Sequence, residues 1–257
     1  MWKIIRITAL LIVLLVVAAQ AWLDRITTTD WTDTLWVGVF PLSADGSEAV
    51  ERYISGLTRE DFAPIEDFFA REARHFDVPL KQPVRIEVYP SPDRLPPALE
   101  PGAGALATAW WSLRLRWYAR TAADVPGRAP PTIRMFVVYH DPERRNRLPH
   151  SHGLRKGLVG VVHAFGSRDM AGENAIVIAH EVLHTLGATD KYDRDTGAPL
   201  YPDGFADPEA QPLYPQTQAE IMAGRRALSP TDQEMPRSLR EVVVGPATAA
   251  EIRWTQR

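Results

Sequence analysis

The stretch from His180 to Asp190 reads His-Glu-Val-Leu-His-Thr-Leu-Gly-Ala-Thr-Asp, and the fold of this chain can be argued outward from it. The residues around its first half are almost all apolar, so we predict a buried helix over residues 173–186, ended by Gly187. Side chains four positions apart lie one above the other on a helix face. His180 and His184 can therefore bind one metal ion, at about 2.0–2.1 Å from each ring nitrogen. Buried histidines beside a glutamate need partners, and a metal ion would provide them.

A third protein ligand is expected three residues beyond the glycine. Gly187 lets the chain leave the helix through a left-handed conformation, and the turn brings Asp190 back beneath the two histidines. A carboxylate there completes three protein ligands and leaves the fourth position to water, as in catalytic zinc sites. Asp193 and Glu220 are alternative carboxylates for this position. In the interpretation that needs no metal, Gly187 is a plain helix end and Asp190 is a solvated loop residue.

Glu181 is the candidate catalytic base. It follows a metal-ligand candidate directly and can touch a water on the metal without binding the metal itself. From there it can take the proton of that water and later hand it to a leaving amine. The pattern therefore indicates metal-assisted hydrolysis with zinc as the cofactor.

A second motif lies about thirty residues downstream, where residues 219–224 read Ala-Glu-Ile-Met-Ala-Gly. Together with the long histidine motif it resembles the metzincin clan of zinc peptidases, in which a methionine, here Met222, packs beneath the metal site. An aspartate as third ligand, followed by Lys191 and Tyr192, is most similar to the snapalysin type, small secreted bacterial peptidases. The resemblance is specific over residues 179–192, and residues 1–130 contribute nothing to it at the level of individual residues.

The resemblance implies an α+β fold in two lobes around a cleft. The upper lobe, about residues 35–187, would hold a twisted mixed sheet with helices and the metal-binding helix. The lower lobe, about residues 188–257, would be irregular and end in a helix. The strand before the metal helix, Val159–Phe165, would be an exposed edge that pairs with a peptide or protein substrate in extended form. The residues alone also allow this strand to be an inner, paired strand.

Hydrophobic periodicity predicts the remaining elements. Strands are expected at residues 35–40, 84–89, 133–139 and 158–165, and helices at 59–76, 105–122 and 247–254. Thr58 and Asp61 form a capping-box pattern at the start of the first helix. Residues 140–156 are polar and basic and are expected to form a surface loop. His150 and His152 in this loop, and His163 in the strand that follows, are further ligand candidates, although lone histidines are more often structural or solvated. The hydroxyl of Tyr192 is a candidate for contacting the scissile carbonyl, or else a packing group.

Composition restricts the chemistry further. The chain has 257 residues and no cysteine, which excludes disulfides, thiolate zinc ligands and a cysteine nucleophile. Its net charge of -3 gives no support for nucleic-acid binding, which usually needs a concentrated basic face. Twenty-two prolines indicate long ordered loops more than a helix bundle.

The N-terminal residues indicate export. Lys3 and Arg6 come before the apolar run at residues 7–19. Counted from 4 to 23, the segment has about twenty residues, which is marginally enough to cross a membrane. The run also fits a signal peptide, because Ala19-Gln20-Ala21 is a small-x-small cleavage site. We therefore expect residues 1–24 to be a signal peptide cleaved after Ala21 or a transmembrane anchor. The catalytic domain, residues 25–257, would face the periplasm or the exterior.

The sequence thus predicts an exported or membrane-anchored zinc metallopeptidase. Three alternatives stay open. The chain could be a catalytically inactive metal-binding or interaction module of the same fold. It could be a hydrolase that uses the same site on another substrate, such as cell-wall peptides. The two histidines could also form a structural pair without metal.

Overall fold

The computed structural model describes residues 6–8, 29–100, 102–155 and 157–255. The predicted signal peptide or anchor, residues 1–24, lies outside the described residues except for 6–8. Among the described residues, no helix is both long enough and apolar enough to cross a bilayer.

Five strands form the central mixed sheet, in the order β2-β1-β3-β5-β4. They are β1 (Leu35–Ser43), β2 (Val84–Val88), β3 (Ile133–His140), β4 (His152–Leu154) and β5 (Val159–Phe165). The first four strands in the sheet order are parallel, and β4 pairs antiparallel with β5, with Gly153 opposite Gly160. The α+β class predicted from the sequence is confirmed at this level.

Helices cover both faces of the sheet, and the alternation of side chains along β1 explains why. Val37 and Val39 contribute to the larger core, whereas Phe40 and Leu42 contribute to a second core on the opposite face. The strand is therefore buried on both sides, as its nearly continuous apolar sequence requires. The α-helices of the described residues from 29 onwards that we number are α1 (Glu48–Ser55), α2 (Ala63–His75), α3 (Ala105–Ala122), α4 (Ala171–Leu186) and α5 (Pro246–Glu251). Helices α2 and α4 pack on the first core and α3 on the second.

Most predicted elements are present, with small shifts at their ends. The Thr58 amide donates to the Asp61 carboxylate over 2.8 Å, as the capping-box pattern predicts. The helix predicted at 59–76 begins with a 3₁₀ turn, Arg59–Phe62, before α2. Helix α3 has the predicted bounds. Helix α1 was not predicted; Ser47 caps it, its hydroxyl accepting from the Val50 amide over 3.3 Å.

Two expectations about the sheet edge were wrong. Residues 140–156 are not only loop, because β4 forms within them. As a result Val159–Phe165 is not the edge strand: β5 lies between β3 and β4, and β4 is the edge. Three residues without strong periodicity carry too little signal to predict a strand. Strand β4 forms because its backbone can pair with the edge of β5.

The chain after residue 187 is largely irregular, as predicted, with two small two-stranded sheets. These pair β6 (Ala219–Glu220) with β9 (Val242–Val243), and β7 (Arg226–Ala227) with β8 (Gln233–Glu234). The Glu72 carboxylate on α2 accepts from the Val244 amide over 2.9 Å and pairs with Arg71. Arg71 in turn donates to the carbonyls of Leu239 and Val242. These bonds fix the C-terminal region against the helix layer.

Candidate metal centre

Helix α4 presents the two histidines on one face, and each ring is held by a backbone carbonyl. His180 Nδ1 lies 2.9 Å from the Ile221 carbonyl, and His184 Nδ1 lies 2.9 Å from the Ala188 carbonyl. A carbonyl only accepts, so Nδ1 must carry the proton and the lone pair of a neutral ring is on Nε2. Both imidazoles are therefore oriented as metal-binding histidines are, with a fixed tautomer and Nε2 available for the ion.

The turn after α4 places Asp190 at the two histidines. Gly187 ends the helix with φ at 107°, a left-handed conformation that favours glycine. Three residues later, Asp190 Oδ1 lies 3.4 Å from His180 Nε2 and 3.0 Å from His184 Nε2. Two ligand atoms bound to one tetrahedral zinc at about 2.0–2.1 Å are themselves about 3.3 Å apart. The two distances from Asp190 Oδ1 therefore match the spacing of ligand atoms in a shared coordination sphere.

Glu181 completes the cluster. One ligand atom from each of His180, Glu181 and His184 lies within 4.8 Å of the others, so this group could hold a metal ion. The Glu181 side chain is buried, and its Oε2 makes no hydrogen bond within the described part of the chain. Asp190 Oδ1 is likewise buried without a well-formed hydrogen bond among the described residues, despite its closeness to the imidazoles. In the neutral tautomer, with the Nδ1 proton donated to a carbonyl, Nε2 has no proton to give, so only acceptors converge here unless a ring takes up a second proton. Either a proton on a ring or a metal cation would satisfy these acceptors.

The charges in the cluster shift one another's titration. Burial raises the pKa of the Glu181 carboxyl, against the opposing effect of the two nearby histidines. Burial alone would lower the pKa of His180, but contact with Asp190 and the charge of Glu181 outweigh it and raise that pKa. Burial alone would raise the pKa of Asp190, but contact with the two imidazoles lowers it strongly.

The edge strand β4 crosses closely over helix α4 at Gly153. A Cβ atom there would lie 2.4 Å from the Glu181 carbonyl oxygen and 2.7 Å from His184 Cβ. Only glycine fits this crossing without displacing the helix. The Gly153 amide also faces the Glu181 carboxylate and partly opposes the rise in its pKa. The sequence analysis missed this residue, because its role depends on a strand that it did not predict.

The alternative carboxylates are engaged elsewhere. Glu220 is fully buried, and its two oxygens accept from the Thr248 hydroxyl and from the amides of Gly245 and Ala223. Asp193 Oδ1 accepts from the amide and the hydroxyl of Thr196 and closes a local turn. Neither side chain joins the cluster around His180 and His184.

The segment around Met222 lies directly against the site. Met222 is fully buried in the larger core. Its carbonyl accepts from the Lys191 amide over 3.0 Å, and the carbonyl of the preceding Ile221 holds His180. This turn therefore fixes one histidine and the residue after Asp190 at once. Backbone carbonyls carry no side-chain signal, so no sequence pattern could have indicated this role for Ile221.

A buried ion pair fixes the chain on both sides of Asp190. The Glu251 carboxylate on α5 accepts from the Thr189 amide over 2.9 Å and from the Thr189 hydroxyl over 2.7 Å. It also accepts from Lys191 Nζ over 2.8 Å, and the Lys191 side chain is 6% exposed. We call Thr189, Lys191 and Glu251 the C-terminal clamp. The sequence analysis missed Glu251, which lies sixty residues after Lys191.

The other candidates lie outside the His180, Glu181 and His184 group that could hold a metal ion. Searched over the described residues, that group does not include His150, His152 or His163, nor does it include Asp190, which is tied to the site by its contacts with the two imidazoles. His163 Nδ1 lies 2.9 Å from Nε2 of His140, and the His152 ring packs edge-to-face on Trp111. Burial raises the pKa of Tyr192, and the negative charges of Asp190 and Glu181 add to the rise.

No protein-family model matches the chain, and no curated protein matches it.

Proposed function

We propose that the chain is a zinc-dependent peptidase of the metzincin type, with His180, His184 and Asp190 as metal ligands and Glu181 as the general base. One observation carries the proposal. Nε2 of each histidine and Oδ1 of Asp190 converge at 3.0–3.4 Å, while the neighbouring Glu181 carboxylate is buried and unpaired within the described chain. Two imidazoles and a carboxylate form a donor set typical of catalytic zinc sites with three protein ligands.

Zinc bound there would supply a Lewis acid that polarises a scissile carbonyl and lowers the pKa of a water to about 7. The protein groups do the rest. The carbonyls of Ile221 and Ala188 keep both imidazoles in the binding tautomer, and the C-terminal clamp keeps Asp190 in place.

Glu181 is suited to moving a proton. Its raised pKa brings the carboxyl closer to neutral pH, where a general base can accept a proton and release it again. In the proposed reaction its free Oε2 takes a proton from the attacking water and later donates it to the leaving amine. Glu181 sits between the two ligands of α4 on the side of Gly153, so β4 shields it from bulk solvent.

A peptide substrate would add to the sheet at β4. This strand is the edge of the sheet, and it touches α4 at the residues proposed for catalysis. An extended peptide pairing with His152–Leu154 would therefore run along the metal cluster. The resemblance to metzincins is further supported by the buried turn at Met222, whose backbone holds both His180 and Lys191.

The place of action is proposed from the sequence. A reporter fused after Arg257 should be active only on the far side of the cytoplasmic membrane, because Lys3 and Arg6 precede the apolar run. Activity of a reporter that works only in the cytoplasm would contradict export. The size of the mature chain distinguishes cleavage after Ala21 from a retained anchor.

Metal content and peptide cleavage together test the proposed function. The purified chain should hold one zinc and cleave members of a random peptide library, and His184→Ala should lose both properties. Asp190→Ala should lose them too, whereas the matched Asp193→Ala should keep both. Zinc-loaded protein that cleaves no peptide would indicate an inactive metal-binding module. Protein that binds no zinc after supplementation would indicate a structural histidine pair.

A further inference from the structure

Helix α3 has a second apolar face that points into solvent. Four large side chains follow one another at steps of four, three and four residues, which places them on one face. They are Leu106 (89% exposed), Trp110 (64%), Leu113 (53%) and Trp117 (71%). We call them the α3 stripe. The opposite face of the helix, with Trp111, Leu115 and Ala119, is buried against the sheet. A helix on the surface of a globular protein needs only one apolar face, so the α3 stripe calls for a partner.

Arginines flank the stripe on both sides. At 100° per residue, Arg114 lies on one side of it, and Arg116 and Arg120 lie on the other. Helix α3 contains no aspartate or glutamate. Among the described residues, none of the three arginines is part of a salt bridge. The whole chain has a net charge of -3, so this helix is a local concentration of positive charge on an otherwise acidic protein.

A groove of about 1230 Å³ extends from the stripe. The proline-rich loop that follows β2 forms its other wall, with Pro92 and Leu95 among the lining residues. Two aspartates line it, Asp93 and Asp124, and they are outnumbered by arginines, since Arg94 joins the three of α3. The apolar surface is therefore wider than the helix alone and remains surrounded by net positive charge.

We propose that the α3 stripe docks on the surface of a bilayer that contains anionic lipids. Tryptophan is the side chain that favours the boundary between headgroups and acyl chains, and leucines would enter the apolar layer beside it. The arginines would lie at the level of the lipid phosphates, with which a guanidinium makes paired, charge-assisted hydrogen bonds. The N-terminal apolar segment, residues 4–23, is either a signal peptide or an anchor, and as an anchor it would bring the helix to such a surface.

This docking does not depend on the proposed peptidase activity. The stripe uses a face of α3 that is turned away from the sheet, whereas β4 contacts the same helix through the buried Trp111. The metal cluster and the docking surface can therefore be tested separately.

The absence of cysteine allows a site-specific test in the full chain. Leu113→Cys and, as a matched exposed control on α1, Glu51→Cys each carry one environment-sensitive fluorophore. Each protein is reconstituted into vesicles of phosphatidylglycerol and phosphatidylcholine whose acyl chains are brominated. The label at 113 should be quenched by bromine and that at 51 should not. Pure phosphatidylcholine or high salt should reduce the quenching at 113, because anionic headgroups hold the arginines.

A second variant isolates the charge contribution. The double variant Arg114→Ala, Arg120→Ala should lower the ratio of docked to undocked helix by roughly tenfold or more. Each basic residue near an anionic surface raises that ratio by about fivefold. Equal and low quenching at 113 and 51 would overturn the proposal, because attachment would then involve only the N-terminal run. Efficient disulfide crosslinking between unlabelled Leu113→Cys chains, without quenching, would overturn it in favour of a contact between copies.

Discussion

Replacing Glu251 by alanine should destabilise the fold and weaken metal binding, although Glu251 belongs to the last helix and touches no proposed ligand. Its carboxylate makes three hydrogen bonds, to the amide and hydroxyl of Thr189 and to Lys191 Nζ. These two residues flank Asp190. The variant therefore tests whether the C-terminal clamp positions the third ligand.

The magnitude follows from the burial of the pair. The Lys191 side chain is 6% exposed, so its ammonium loses its counter-charge where little water can replace it. Breaking a buried pair costs about 3–5 kcal/mol, but Glu251 is 23% exposed and Lys191 keeps its bonds to Thr189. We therefore expect a loss of about 2–4 kcal/mol in the free energy of unfolding. Zinc affinity should fall by about 10- to 100-fold, as it does when groups that orient metal ligands are removed.

Urea unfolding followed by tryptophan fluorescence measures the stability, because Trp254 lies just after α5, the helix that carries Glu251, and packs on Trp31. The exposed Glu209→Ala is the control and should change stability by less than about 0.5 kcal/mol. In a Lys191→Met background no ammonium is left unpaired when Glu251 is removed. There, Glu251→Ala should lower the free energy of unfolding by at least about 1 kcal/mol less than it does in the wild type. If Glu251→Ala unfolds like Glu209→Ala and binds zinc like the wild type, the clamp has no positioning role.

Two further predictions concern other parts of the structure. Gly153→Ala should cost about 1–3 kcal/mol and reduce peptidase activity, because its Cβ would lie 2.4 Å from the Glu181 carbonyl oxygen. Gly104→Ala, whose Cβ would meet nothing within 4 Å, is the matched control, and equal stabilities for the two variants would refute the close crossing. Burial, then the nearby charges of His140 and other basic groups, lower the pKa of His163 to about 4. The unfolded chain therefore binds more protons, so the free energy of unfolding should fall as pH drops from about 6.5 to about 4. His163→Gln should flatten that slope, and an unchanged slope would contradict the assigned pKa.

The strands and helices that the sequence predicts well are those with strong local signals. Helix α3 has the predicted bounds, and its buried side chains Trp111, Leu115 and Ala119 repeat at four-residue steps. Strands β1 and β3 are nearly continuous apolar runs. Strand β4 has three residues and no pattern of its own, so its edge position could not be read from the chain. The error about Val159–Phe165 as the edge follows directly from that.

The residues of the candidate site also fall into those that local sequence patterns predict and those that they do not. His180, Glu181 and His184 are adjacent on one helix, so their convergence follows from helical spacing. Asp190 needs only one glycine turn, and the structure brings it to the two histidines. The carbonyls of Ile221 and Ala188 and the carboxylate of Glu251 depend on tertiary contacts, for which a single sequence carries no local signal.

The central claim is that Glu181 moves a proton while the two histidines and Asp190 hold the metal. Glu181→Gln tests it most directly, because glutamine has nearly the same shape but cannot accept the proton. Zinc content and peptide cleavage should be measured on the same preparation. We expect about one zinc per chain, as in the wild type, with cleavage reduced by at least ~10²-fold, since a positioned general base contributes about 10²–10⁴. A Glu181→Gln chain that cleaves peptides as fast as the wild type would contradict the account.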